Sequence, residues 1–558
     1  MLKFAQKFRE IPFSIYIIEV FDIDKEEDYM PKIDCYKIHD TLKFILLCLF
    51  VWSCSIISIL DEQENFENTI VLDGTDYNFV AVNPSSLTQT ITIRVSNNLF
   101  GKTININGED KIISEKNKIE GKINLSHFRL KKFSFSLGTK KTFLNIQEDT
   151  NIIRYGSSLI TTNSVIKLNT IIKGYDFQTK EYTINKEENF SVCDVGYDYY
   201  LLYSIPDKEN NYITTSDIER LKKICSNFTS FHMKFISNYG YETGGEINGD
   251  GGIDKDQHVL ICLVNLKVTE NNLFSSVYIA GFYDPFQDMT YSEAKEYEPD
   301  WIDKGYFPSE KQIIFLTTDA LRNLSDVGIL STLLHEYQHL AGVNISRRKF
   351  NAIVPVFLTE GASMLIEEII NQTNIIKQRL VSFLNNTPDN IFDFDNNTDP
   401  TLDYATAYVF FTFYNRNTGG KLLKEIIGLD HVNNINNPLD DIFSYFNKEN
   451  NSFPKTKEEA VRIWGKANII DKKNEYLKGY VEYTNTVYNV VIKGIELKNI
   501  YRDIFNITKG INFYTVWDKK SFTLPPYSTF YFRIGSFFPG EKVYLFVSKN
   551  TEIFYQKK

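Results

Sequence analysis

The stretch Leu330-Ser331-Thr332-Leu333-Leu334-His335-Glu336-Tyr337-Gln338-His339-Leu340-Ala341-Gly342 constrains this chain more than any other. His335 and His339 stand at i and i+4 inside an apolar pattern of helical spacing. On a helix both imidazoles therefore leave the same face, one turn apart. That spacing lets two neutral imidazoles bind one zinc ion. Glu336 follows the first histidine, where it reaches a water on the metal without occupying the metal. Leu330, Leu333, Leu334 and Ala341 predict that this helix is buried and rigid, and Gly342 is placed to end it as a C-cap. The bland alternative is an ordinary helix with two satisfied histidines. The chain has only seven histidines, so two of them falling around a Glu in this pattern by chance is rare.

Two histidines need a third ligand. Residues 357–370, from Phe357 to Ile370, read as a second amphipathic helix, with Pro355 just before it and Thr359 as a candidate cap. Glu360 sits near its start, followed by Gly361, Ala362 and Ser363, small residues that allow close approach to the first helix. Two histidines plus one carboxylate leave a fourth zinc position open for water, the catalytic arrangement. Ser363 and Glu367, at i+3 and i+7 from Glu360, are candidates to orient a ligand, with a cap contact or a solvated face as the alternative.

His335-Glu336-Tyr337-Gln338-His339 followed by Thr359-Glu360-Gly361-Ala362-Ser363 resembles the gluzincins, and more narrowly the hyicolysin family of neutral metallopeptidases. Tyr337 replaces the phenylalanine usual in that family. The resemblance extends upstream through Asn248-Gly249-Asp250-Gly251-Gly252-Ile253-Asp254 and Ala280-Gly281-Phe282-Tyr283-Asp284, and downstream through Asp403-Tyr404-Ala405-Thr406-Ala407-Tyr408-Val409-Phe410. It covers roughly residues 190–450. It implies a zincin-like core, an endopeptidase activity and one catalytic zinc held by His335, His339 and Glu360. In such enzymes the oxyanion formed at the attacked carbonyl needs a donor besides zinc. Tyr404 is the candidate, with Tyr408 and His431 behind it; packing is the alternative for each, since the chain has 34 tyrosines.

The remaining sequence sets the context. A chain of 558 residues predicts several domains. Its 43% apolar and 24% charged residues are those of a folded protein, and a net charge of -10 argues against a nucleic-acid partner. Residues 1–54 read as a leader whose true start is expected at Met30. Phe44 to Cys54 fits a secretory apolar region. Val51-Trp52-Ser53-Cys54 resembles a relaxed bacterial lipobox that would make Cys54 the lipidation site. A single membrane anchor reaching Leu60 is the alternative. Cys193, Cys225 and Cys262 remain beyond Cys35, Cys48 and Cys54; buried free thiols are expected rather than a disulfide framework.

The expected class is α+β: a zincin-like core of mixed sheet and active-site helices at 186–479, flanked by a β-sandwich-like domain at 61–185 and a β-domain at 480–558. Strands are expected at Thr90–Val95, Lys132–Leu137, Tyr199–Tyr203, His258–Val264, Ile313–Leu316, Tyr488–Ile492, Thr529–Ile534 and Lys542–Val547. Ile313–Leu316 is expected at the edge of the sheet beside the cleft, where a peptide can add by β-pairing. A helix capped by Ser216 or Asp217 carries His232, read as structural. The Gly-rich run from Glu246 to Asp256 offers oxygens for Ca2+, but lacks the bidentate Glu of an EF-hand, and a tight turn is the preferred reading. The function expected is a secreted or surface-anchored zinc metalloendopeptidase acting on protein or peptide substrates. The alternatives are a surface lipoprotein adhesin on a vestigial peptidase core and a zinc hydrolase of non-peptide substrates.

Overall fold

The computed structural model describes residues 66–73, 77–96, 103–106, 109–112, 160–169, 175–176, 181–182, 187–240, 252–254, 256, 258–266, 280–303, 305–385, 387, 389–394, 400–469, 479–500, 511–516, 519–534, 542–548 and 552–557. The leader with Met30 and Cys54, the expected strand Lys132–Leu137 and most of the Gly-rich run before Asp254 lie outside them. The class is α+β.

A six-stranded mixed sheet is the platform. Its order is Gly281–Tyr283, Ile313–Thr317, Val259–Val264, Tyr199–Ser204, Glu187–Val195 and Val165–Asn169. The middle three strands run parallel, and Gly281–Tyr283 and Glu187–Val195 pair antiparallel to their neighbours. Val259–Val264 and Ile313–Thr317 are buried at every position, as strands covered on both faces must be. One face packs Leu201, Ile261, Leu263 and Leu316 against the helices. The other packs Leu202, Leu260, Cys262 and Phe315 with Phe190.

Ile313–Thr317 is thus an interior strand, which corrects its expected place. The edge belongs to Gly281–Tyr283, three residues too short to carry an alternating pattern. Gly281 is required there: a Cβ would come within 2.9 Å of Thr332 Cγ2 and 3.0 Å of the Phe315 carbonyl oxygen.

Three helices build the centre against this sheet. Thr215–Tyr239 starts at a capping box between Thr214 and Asp217, so the cap is Thr214, ahead of the expected Ser216 or Asp217. The motif helix, Asp326–Phe350, is capped by Ser325 and ends at Asn351 in the left-handed conformation. Gly342 is therefore interior, not the C-cap. The helix runs on because Val343 and Ile345 are buried and Asn344 and Arg347 bond to Asp288. The helix of Glu360, Val356–Ile375, begins after Pro355; Thr359 lies within its first turn, bonding the Val356 carbonyl, and does not cap it. It passes into a π-helical turn, Ile376–Leu380, and then Val381–Leu384.

The two expected terminal β-domains are not separate. Phe66–Asp73, Lys542–Ser548, Gln89–Ser96 and Lys519–Leu524 make one antiparallel sheet in that order. Tyr514–Val516, Ser528–Ile534, Tyr77–Asn83 and Glu552–Lys557 make the other. The first sheet alternates strands from the two ends of the sequence, and the second seats one early strand, Tyr77–Asn83, between two late ones. Phe79, Ile91, Ile93, Leu524, Phe530 and Phe532 from both sheets share one core. Alternation identifies a strand and its inward face, but not its partner. The outer face of the second sheet seats on helix Lys457–Ile469, where Gly465 approaches Thr529 and Val82. The hairpin of Tyr483–Asn485 and Val490–Ile492 belongs to the helical core, through Tyr483 and the backbone carbonyl of Val481. Val165–Asn169, expected in the N-terminal unit, belongs to the central sheet. Among the described residues no helix is long and apolar enough to cross a membrane.

Candidate metal centre

The motif helix is buried on nearly all sides. Tyr337 packs away from the histidines, against Phe228, His232 and Phe235 of Thr215–Tyr239, with ring centroids 4.4 Å from His232. His232 also pairs with Asp198 and stacks on Phe228. It is a packing residue, as its sequence context suggests.

On the opposite face the imidazoles converge, with the His335 and His339 Nε2 atoms 3.1 Å apart. Glu360 Oε2 lies 3.5 Å from each of them. Ligands about 2.1 Å from a tetrahedral zinc stand ~3.4 Å from one another, so these three atoms are spaced much like one face of such a tetrahedron. Glu360 Oε2 is buried and has no hydrogen-bond partner among the described residues. Such an orphan is costly unless something positive occupies the space it faces.

Gly361 faces helix Pro400–Asn417, not the motif helix, and lets that helix pack closely against the one carrying Glu360. A Cβ there would fall 2.3 Å from Cδ2 of Phe411. Ser363 ties the Glu360 helix to the motif helix by donating to the His335 carbonyl oxygen at 3.0 Å and to Gln338 Oε1. Glu367 Oε1 lies 2.5 Å from His335 Nδ1. It holds the proton on that nitrogen and turns Nε2 inward, the arrangement found behind metal-binding histidines.

The carboxylates and imidazoles shift one another strongly. Burial pushes the His335 pKa down, yet Glu360 and Glu367 overcome it and raise it well above the ordinary imidazole value. Burial pushes Glu360 up, but the charge of His339 and the two rings hold its carboxyl far below the usual range. Glu336 moves the other way: burial raises it, and the histidines only partly offset this. His335, Glu336 and His339 bring ligand-type atoms within 4.8 Å of one another. Glu336, however, also takes a hydrogen bond from the backbone N–H of Tyr283 on the edge strand. Glu360 Oε2, equidistant from both Nε2 atoms, completes the tighter trio of donor atoms, with Glu336 beside it.

Tyr404 is on helix Pro400–Asn417. Its phenol is buried close enough to Glu360 and Glu336 for both charges to add to the upward push of burial on its pKa. The two reserves are engaged elsewhere. Tyr408 donates to Glu368 Oε1 at 2.7 Å inside a buried network with Thr412 and Arg416. His431 bonds Glu425 and stacks on Tyr445 at 3.6 Å. Asp254 and Asp256, the described carboxylates of the calcium candidate, bond Lys311 and His258. Cys193, Cys225 and Cys262 are free thiols, and burial raises the pKa of each.

Sequence reasoning missed two features: the edge strand that crosses Glu336, and Arg379, whose Cζ lies 4.7 Å from the Tyr404 ring centroid. Gly281 stood in the sequence as a signal for the first. Arg379 follows no motif. No protein-family model matches the sequence, and no curated protein matches it.

Proposed function

We propose that the chain is a zinc metallopeptidase with a zincin-like core, cutting peptide bonds within proteins. The observation that carries this reading is the buried trio of His335 Nε2, His339 Nε2 and Glu360 Oε2, 3.1 to 3.5 Å apart, with the Glu360 oxygen unpartnered and Glu336 beside it. His335, His339 and Glu360 would hold the ion. When bound, zinc supplies a Lewis acid that makes a water nucleophilic near neutral pH and polarises the scissile carbonyl.

The chain's own groups do the rest. Glu336, in its buried and basic setting, accepts the water proton and returns it to the leaving nitrogen. Tyr404 donates its hydroxyl hydrogen to the oxygen of the attacked carbonyl as charge develops there. Glu367 fixes His335 in one tautomer. The outer edge of Gly281–Tyr283 carries no strand among the described residues. A substrate segment adding to that edge is laid along Glu336 by main-chain hydrogen bonds, which supports a peptide rather than a small-molecule substrate. Export with acylation at Cys54 is part of the same reading and rests on the leader sequence; palmitate labelling that survives Cys54→Ala would exclude it.

The test is zinc content and casein cleavage measured side by side for wild type and Glu336→Gln. Zinc in both with cleavage in wild type alone is the expected result. Metal-free wild type, purified without chelator, would rule the reading out.

A further inference from the structure

Arg379 stands beside the metal centre with no task in the mechanism above. It sits on the π-helical turn Ile376–Leu380 that continues the Glu360 helix. Such turns insert an extra residue into a helix and recur at functional sites. Its guanidinium lies over the ring of Tyr404, 4.7 Å from Cζ to centroid. Its charge reaches both Glu367, whose carboxyl it helps to hold below the usual range, and Tyr404, where it opposes the rise that burial imposes on the phenol. Yet among the described residues no carboxylate lies within 4.0 Å of it, and its Nε is buried without a hydrogen-bond partner. Glu367, the nearest obvious counter-ion, is already bonded to His335 Nδ1 at 2.5 Å.

A half-buried guanidinium with a buried Nε and no carboxylate beside it among the described residues is unfavourable by itself. The ring of Tyr404 offsets part of that cost and fixes the side chain in place. What remains is a held, planar fork of N–H donors beside the metal ligands, the geometry that receives a carboxylate through two parallel hydrogen bonds. We propose that Arg379 is a specificity-determining residue that selects peptides bearing a carboxylate next to the scissile bond. The carboxylate comes either from an Asp or Glu side chain or from the substrate's C-terminus. The proposal rests on the peptidase reading of the same site.

The experiment uses zinc-loaded full chain and matched fluorogenic peptides: a neutral parent, versions with Glu or Gln at each position flanking the cut, and free or amidated C-termini. Wild type is expected to favour the acidic member of a pair by ~10–100-fold in kcat/KM, the worth of a charge-assisted hydrogen bond. In Arg379→Gln that ratio falls towards one with zinc content retained, and in Arg379→Lys part of it survives. Binding of the preferred acidic peptide to the Glu336→Gln protein, read by calorimetry, weakens by a similar factor when Arg379→Gln is added. A preference for Glu within amidated peptides assigns the side chain; a preference for the free terminus assigns the C-terminal carboxylate. Casein cleavage without any acidic preference, an unchanged ratio in Arg379→Gln, or loss of zinc from that variant would overturn the proposal. Zinc-loaded wild type that cleaves neither casein nor any peptide overturns the peptidase reading, and this proposal with it.

Discussion

Replacing Gly361 by alanine tests whether the approach of two helices sets the position of Glu360. The new Cβ would lie 2.3 Å from Cδ2 and 2.4 Å from Cε2 of Phe411. Ordinary carbon contacts lie at about 3.5–4.0 Å, so ring and helix must part by roughly 1.2 Å. Phe411 has little room to yield: it is fully buried and packed edge-on against Phe410. The displacement therefore goes into helix Val356–Ile375, one residue from Glu360. Overpacking of this kind costs ~1–3 kcal/mol. A metal site tolerates only about 0.2 Å in its ligand distances, so Glu360 drops out of the set. The expected result is a modest fall in Tm and a large fall in zinc affinity, measured by competition with a chromogenic chelator. Phe411→Leu in the same chain returns the space and restores part of both. Wild-type zinc affinity in Gly361→Ala would refute the argument that Phe411 and Gly361 fix the third ligand.

The other predictions probe groups around that centre. Glu367→Gln leaves His335 without its fixed tautomer, and zinc affinity should fall ~10–100-fold by the same competition assay. Tyr404→Phe should lower kcat by about 10²–10³ while zinc content stays that of wild type; full kcat would remove Tyr404 from the mechanism. Glu368 and Arg416 are fully buried and paired at 2.6 Å, so Glu368→Gln strands the guanidinium and should cost ~3–5 kcal/mol in denaturant unfolding. Burial raises the Asp288 pKa to about 7, against the donation of Asn344 and the charge of Arg347. The native state then holds a proton that the unfolded chain releases at about pH 4. Stability should decline as pH climbs from there to about 7 and level off above it. Asp288→Asn should lose that slope, seen as a flatter profile of Tm against pH.

The centre was legible because its chemistry is local. An i, i+4 pair on a helix fixes direction within a single element; of the small residues after Glu360, Ser363 meets the motif helix as expected, while Gly361 faces Phe411 of Pro400–Asn417 instead. Tyr404, Tyr408 and His431 look alike as candidates in the sequence. Only tertiary packing separates the phenol beside Glu360 from the one bonded to Glu368 and from the imidazole stacked on Tyr445. The edge strand was hidden because three residues carry no period. Gly342 misled because a glycine that ends a helix and one that admits a neighbour read the same. The sandwich was misassigned for a deeper reason: Phe66 pairs with Ser548 and Gln89 with Leu524, and nothing within either segment encodes a partner so far along the chain.

That last pairing has a consequence for how the protein is made. Gln89–Ser96 lies between Lys519–Leu524 and Lys542–Ser548, and Tyr77–Asn83 between Ser528–Ile534 and Glu552–Lys557. On a ribosome adding ~5–20 residues per second, the early strands wait roughly 20–80 s for their neighbours. Through that interval they offer bare backbone to any passing strand. The segment that carries His335, Glu336, His339 and Glu360 is synthesised in between and is complete before the clasp can close. A chain cut short near its end therefore loses its beginning as well: it would have the helices of His335 and Glu360 intact and two orphaned sets of strands, the form most exposed to quality-control proteases and to aggregation.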